Sequence, residues 1–256
     1  MAKASTSISL RGPWLAVVIT LLMPLAAVIA TAGPAQAGPT FQQPRVGECR
    51  AMTWDEYMGK SDNEAPIDCS QPHSSRVIDV VRLPKGVTWG APIQKLTTIA
   101  TRLCNPAWAD ALGRTYSSRA MTAYSVAWFM PTKAQRDRGA RWIRCDLVLL
   151  AGSRLANLPT DNVPALGAQP HPARIAACLK ARTFVRTICS TPHAWRATGT
   201  FTIHQKAYPT DRQFRRAAIR RCPSRTSTST FWWQYRPKVL WRLGDHVVIC
   251  YSHRSN

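Results

Sequence analysis

The chain has 256 residues, and 34 Lys+Arg against 13 Asp+Glu give it a formal net charge of +21. With 45% hydrophobic residues it has the composition of a globular protein of one or two domains, not of a disordered or fibrous chain. Its three glutamates, Glu48, Glu56 and Glu64, all lie in the first quarter, which weighs against a hydrolase driven by carboxylates.

Residues 1–37 read as a secretory signal. Lys3 and Arg11 precede an apolar run from Trp14 to Ala30, and Ala35-Gln36-Ala37 offers a small-residue cleavage site. Left uncleaved, the run would be a membrane anchor, because its length nears what spanning requires. Cleavage after Ala37 would leave a mature chain with a charge of +19. Export also decides how the eight cysteines read. Outside a reducing cytosol they are four disulfides first, and no Cys-x-x-Cys spacing supports a zinc ribbon or a redox pair.

After a short tail, 38–44, a first unit spans 45–152. Arg76–Val81 and Ala123–Phe129 read as strands, as does the apolar run Cys145–Leu150. Between them, Leu96, Ile99, Ala100 and Leu103 have helical spacing within 93–112, with Pro106 expected to break the helix or start a second turn. Residues 153–172 hold four prolines and little periodicity, and read as a linker. A second unit, 173–256, offers a β-rich run at Ala197–Ile203. Thr210-Asp211 then caps a helix over Arg212–Cys222 whose buried stripe is Phe214, Ala217, Ala218 and Cys222. The run Phe231-Trp232-Trp233-Gln234-Tyr235-Arg236 reads as a strand packed into the core, or else as an exposed aromatic ladder beside arginines. Val247–Tyr251 is the last strand.

The two units repeat each other. Cys69-Ser70-Gln71-Pro72-His73 recurs as Cys189-Ser190-Thr191-Pro192-His193, each followed by a strand and then by a helix carrying Cys104 or Cys222. Both units close on a glycine, Gly139 or Gly244, followed six residues later by Cys145 or Cys250. Four landmarks in one order at near-equal spacing mean two copies of one domain. The expected fold is therefore α+β, as two tandem related small domains. Each would be an antiparallel sheet with one main helix, stapled by disulfides. Residues 38–152 are then expected to fold alone. Two self-contained repeats reduce the pairing to three possibilities each. A helix lying on a following strand favours Cys49–Cys69, Cys104–Cys145, Cys178–Cys189 and Cys222–Cys250.

The order Val46-Gly47-Glu48-Cys49, Asp68-Cys69-Ser70-Gln71-Pro72-His73 and Gly139-Ala140-Arg141-Trp142-Ile143-Arg144-Cys145 resembles the septum formation domain of exported actinobacterial proteins. The likeness covers about 46–150, and the second unit resembles a more divergent member, with Ala177-Cys178 in place of a Gly-x-Cys start. The resemblance implies an extracytoplasmic role linked to the envelope or to division. It brings no catalytic residues to carry over.

His73 and His193 occupy equivalent places and are the natural candidates for a site. They read as turn residues bonded to backbone before a strand, the alternative being a general base or ligand. The other histidines lack ligand spacing, so neither a metal nor a cofactor is expected.

Charge is more informative. Residues 38–153 hold 15 Lys+Arg and 10 Asp+Glu, whereas residues 154–256 hold 17 and 3. Arg212, Arg215, Arg216, Arg220 and Arg221 fall in one helix, largely opposite its apolar stripe. This pattern predicts a non-enzymatic envelope protein binding an anionic envelope polymer, lipid headgroups or an acidic protein through its second unit. Export argues against nucleic acid as the physiological partner. The alternative is a wall-acting hydrolase or transferase using His73 or His193.

Overall fold

A computed structural model describes residues 37–62, 64–160, 166 and 169–254. The segment expected to be a signal, residues 1–37, lies outside the described residues except for Ala37. Among these residues no helix is long and apolar enough to cross a membrane.

The fold is α+β, built on two five-stranded antiparallel sheets. The first contains β1 (Cys49–Arg50), β2 (Ser75–Arg82), β3 (Tyr124–Phe129) and β4 (Trp142–Leu150) in the order β1-β2-β4-β3, with β5 (Leu155–Ala156) paired to the end of β4. The second contains β6 (Ala177–Leu179), β7 (Arg186–Ile188), β8 (Trp195–Thr202), β9 (Phe231–Tyr235) and β10 (Val247–His253) in the order β7-β6-β8-β10-β9. The apolar runs that read as strands in the sequence are β4 and β10, interior strands paired on both sides and buried along nearly their whole length. β2 and β8 carry the same irregularity: Ile78 is skipped between Val77 and Asp79, and Thr198 between Ala197 and Gly199. Each lies five residues after the His of its Cys-Ser-x-Pro-His turn. In both sheets the cysteine of the central strand pairs across to a tryptophan on the outer strand, Cys145 to Trp128 and Cys250 to Trp233.

One long helix lies on each sheet. α2 (Ile93–Leu112) buries Leu96, Ala100, Cys104, Trp108 and Leu112, a stripe repeating every fourth residue. It runs through Pro106 without ending, so the expected break at that proline does not occur. Interrupting the helix there would expose Trp108 and Leu112, whose burial is worth roughly 2–3 kcal/mol each. That outweighs the ~3 kcal/mol cost of an interior proline. In the second half, α5 (Asp211–Arg221) buries Phe214 and Ala218. Four disulfides form with the pairing expected from cysteine order: Cys49–Cys69, Cys104–Cys145, Cys178–Cys189 and Cys222–Cys250. Two of them clip a helix to a central strand. Short helices complete the fold: α1 (Trp54–Met58), α3 (Tyr116–Ala120), α4 (Lys133–Asp137) and α6 (Lys238–Trp241).

Each half keeps an apolar cluster under its own long helix, and two further clusters are shared between the halves. α3 of the first half packs on β8 and β10, and α2 meets α6. Met121 O accepts from the Ala177 N–H, and Ala123 N–H donates to Ile175 O, both at 2.8–2.9 Å. One apolar cluster joins Trp108, Leu112, Tyr124 and Leu149 to Ile175 and Ile188, and another joins Ala120 and Met121 to Ala177, Val247 and Tyr251. Residues 36–256 cluster as one compact unit, so 38–152, expected to fold alone, also packs against the second half. The 153–172 segment is also tied down at its start. Leu155–Ala156 pairs with β4, and buried Leu158 donates its N–H to His73 O.

Candidate functional site

The two histidine turns share a geometry. His73 Nδ1 lies 2.8 Å from Gln71 O, and His193 Nδ1 lies 2.7 Å from Thr191 O. Each ring holds the carbonyl two residues back through Nδ1, the turn role read from the sequence, which leaves Nε2 as its other nitrogen. His73 is 1% exposed and packed shut. His193 is half-buried and borders two shallow hollows, one with Arg154 and Lys180, the other with Arg196, His253 and Arg254. Among the described residues no carboxylate is hydrogen-bonded to either ring. Cys178, Cys189 and His193 come within 4.8 Å of one another, but both sulfurs belong to a disulfide, so no thiolate is available as a ligand. Glu56, Asp62 and Glu64 also cluster. Burial, followed by the neighbouring Glu56 and Asp62 charges, raises the pKa of Glu64.

The basic helix is better defined. Thr210 caps α5 in a reciprocal box with Gln213: Thr210 Oγ1 accepts from the Gln213 N–H, and Gln213 Oε1 accepts from the Thr210 N–H. Asp211 sits in the first turn, and Arg220 and Arg221 in the last, each where the helix dipole favours its sign. With Phe214 and Ala218 turned inward, Arg212, Arg215, Arg216 and Arg220 are all exposed. Arg212, Arg216 and Arg220 follow one another at i, i+4 along a single column about 12 Å long. Like charges so placed destabilise a helix by about 0.2–0.5 kcal/mol per pair. None of the four arginines is in an ion pair among the described residues. Arg221 differs from the others. It donates to Thr202 O at 2.8 Å and lies over the Phe201 ring, so it anchors the helix end to β8.

The aromatic run is β9, and all five of its residues are half-buried. Phe231, Trp233 and Tyr235 pack toward α5 and Trp241, while Trp232 packs on the opposite face with Phe184 and Trp195. Tyr235 donates to Asp211 Oδ1 at 2.7 Å. That bond, and then burial, pushes its pKa up to about 12.

A charged cluster at the junction of the halves has no signature in the sequence. Arg119 and Arg236 are 2% and 5% exposed, and their guanidinium carbons lie 5.1 and 5.7 Å from the centroid of one ring, Trp108. Arg236 donates to Asp245 Oδ2 at 2.7 Å, and Asp245 is also the carboxylate whose charge acts on Arg119. Asp245 is thus ion-paired to Arg236 and acts as a longer-range counter-charge for Arg119, which itself donates to Gly113 O. In sequence the one relevant feature is scarcity, since residues 154–256 hold three acids against 17 Lys+Arg.

The sequence profile of the family described as Septum formation matches residues 90–250, well over half the chain, in a single span that crosses both sheets. Neither a curated protein nor a solved structure matches.

Proposed function

The chain belongs to the septum formation family, and from that premise we propose that it is a non-enzymatic envelope protein whose second half binds an anionic envelope component. The family carries a role associated with cell division and the envelope. Four disulfides fit an oxidising, extracytoplasmic environment, which residues 1–37 would reach as a signal segment. In this reading the two sheets are diverged copies of one unit. Their common strand order, equivalent bulges and matching disulfides support that descent. The first copy then keeps an internal ionic lattice, in which Arg144 bridges Asp62 and Asp146, while the second carries the excess charge outward.

The observation that carries the proposal is the unpaired column of Arg212, Arg216 and Arg220, flanked by Arg215. A face serving only solubility would interleave signs and gain i, i+4 pairs, whereas this one gives up that gain. A column of cations at about 6 Å intervals matches a ligand with repeated anionic groups. The His73 and His193 geometry lends the enzymatic alternative little support, because His73 is packed shut and among the described residues no carboxylate orients either ring.

Co-sedimentation of the oxidised mature chain tests the reading. The probes are phosphatidylglycerol vesicles, phosphatidylcholine vesicles and isolated cell walls at low salt. Binding to walls or to anionic vesicles, and not to neutral ones, is expected. Which anionic probe is retained identifies the source of the charge. Equal retention on neutral vesicles, or none on any probe, would overturn it.

A further inference from the structure

A second concave surface lies between the two sheets, away from the exposed face of α5. This hollow of about 540 Å3 is bordered by α2, β3, β9 and α6. Its lining residues show which part of each sheet it meets. On β3 both Val126 and its neighbour Ser125 line it; on β9, Trp233, Gln234 and Tyr235 do so in succession. Successive strand residues point to opposite faces, so a hollow touched by both parities borders the strand edges. β3 and β9 are the terminal strands of their sheets. Among the described residues, no backbone hydrogen bond outside their own ladders involves Ser125–Trp128 or Phe231–Tyr235. Both edges therefore offer free N–H and C=O groups to one groove.

Such edges are normally guarded by charge, proline or a covering element. Tyr124–Phe129 and Phe231–Tyr235 contain neither a charged residue nor a proline. The groove has a defined polarity as well. Arg186 lines it as the available cation, beside Arg236, whose charge is already paired to Asp245, and no Asp or Glu lines it. Trp108 lines it too, 6% exposed, with an indole N–H that has no partner, and the buried Asn105 Oδ1 beside it is likewise unpartnered. Both atoms lie buried beneath the lining, so they add local polarity under the groove and no contact point at its surface.

We propose that this groove captures an extended acidic peptide segment of a partner protein as an added strand. The peptide backbone pairs with the edge of β3 or β9, its apolar side chains rest on Trp128 and Trp233, and a carboxylate faces Arg186. Charge selects the occupant. Two copies of a chain with net charge +21 repel each other, whereas an acidic peptide complements the groove.

The test uses the oxidised mature chain and a nine-residue peptide alternating Val and Glu. One control alternates Val and Lys. A second keeps the Val–Glu sequence but is N-methylated at alternate backbone nitrogens. Binding is read by tryptophan fluorescence and by amide hydrogen exchange. The Val–Glu peptide is expected to bind and to protect amides on β3 or β9, and both controls are expected to bind at least about tenfold more weakly. Thr101→Glu, a half-exposed position on the α2 rim, should weaken binding by about tenfold without disturbing the core. R212Q/R215Q/R216Q/R220Q should leave peptide binding unchanged, which separates this groove from the α5 face. The proposal is overturned if the Lys or N-methylated peptide binds equally, if protection appears elsewhere, or if T101E binds like wild type. No binding at millimolar peptide would also overturn it. So would concentration-dependent protection of β3 and β9 without peptide, since that assigns the edges to pairing between copies.

Discussion

Replacing Asp245 by Asn removes the ion-pair partner of one buried guanidinium and the longer-range counter-charge of a second, while nearly preserving side-chain volume. Asp245 is 2% exposed and accepts from Arg236 Nε at 2.7 Å. Arg119, the other buried cation, has its Nε unpartnered and feels the same carboxylate. Both guanidiniums sit over Trp108, which cannot supply the lost charge. Removing one partner of a buried pair costs about 3–5 kcal/mol, because the other charge stays buried without compensation. Taking about 4 kcal/mol, and a shift of about 2–4 °C per kcal/mol for a chain of this size, Tm should fall by about 8–16 °C. The double variant D245N/R236M removes one of the uncompensated cations and should recover part of the loss. Differential scanning calorimetry of the oxidised protein at pH 7 measures both. A shift below about 3 °C for D245N, or a double variant less stable than D245N, would refute this role of Asp245.

Two further outcomes follow from the shared clusters and from burial. Residues 38–152 alone should show no cooperative melt, because truncation strips Ile175 and Ile188 from the cluster around Trp108 and Leu112; a sharp transition in the fragment would contradict this. His171 is buried, with Nε2 beside the Ser118 carbonyl at 3.3 Å, and burial holds its pKa below 6.5 against the opposing effect of that carbonyl. Between the folded pKa and 6.5 the unfolded chain binds more protons, so the group's stability is fully present above pH 6.5 and is lost as pH falls. H171N should lose less stability than wild type between pH 7 and pH 5; equal losses would place the acid sensitivity elsewhere.

Features that repeat locally were legible in the sequence. Cysteine order and spacing led to the disulfide pairing, and helical periodicity with a Thr cap led to α5 and its outward arginines. Features depending on non-local contacts were not legible. Pro106 reads as a breaker until Trp108 and Leu112 are known to be buried against the second half. Leu155–Ala156 is too short to show a strand period, so the prolines around it dominated and 153–172 read only as a linker. The boxes Thr53-x-x-Glu56 and Thr132-x-x-Gln135 mark α1 and α4, but helices of five residues show no apolar stripe to accompany the cap. The junction joins Trp108 and Arg119 to Arg236 and Asp245 across more than a hundred residues, with no motif at either end. The groove is hidden in the same way, since its walls are edges of two strands in different sheets. In sequence Arg221 belongs to the same basic face as Arg212–Arg220, whereas in the fold Thr202 O and the Phe201 ring tie it down.

The measurement that bears most directly on the proposed function is retention of the wild-type chain and of R212Q/R215Q/R216Q/R220Q on the anionic probe that binds, at low and high salt. Exposed charges interact over about 8 Å at physiological ionic strength, so wild-type binding should fall steeply as salt rises. The four side chains are exposed and unpaired, so the variant should keep the wild-type melt, bind weakly at low salt and respond little to added salt. Equal binding by the two proteins, or wild-type binding indifferent to salt, would contradict an anion-binding role for α5.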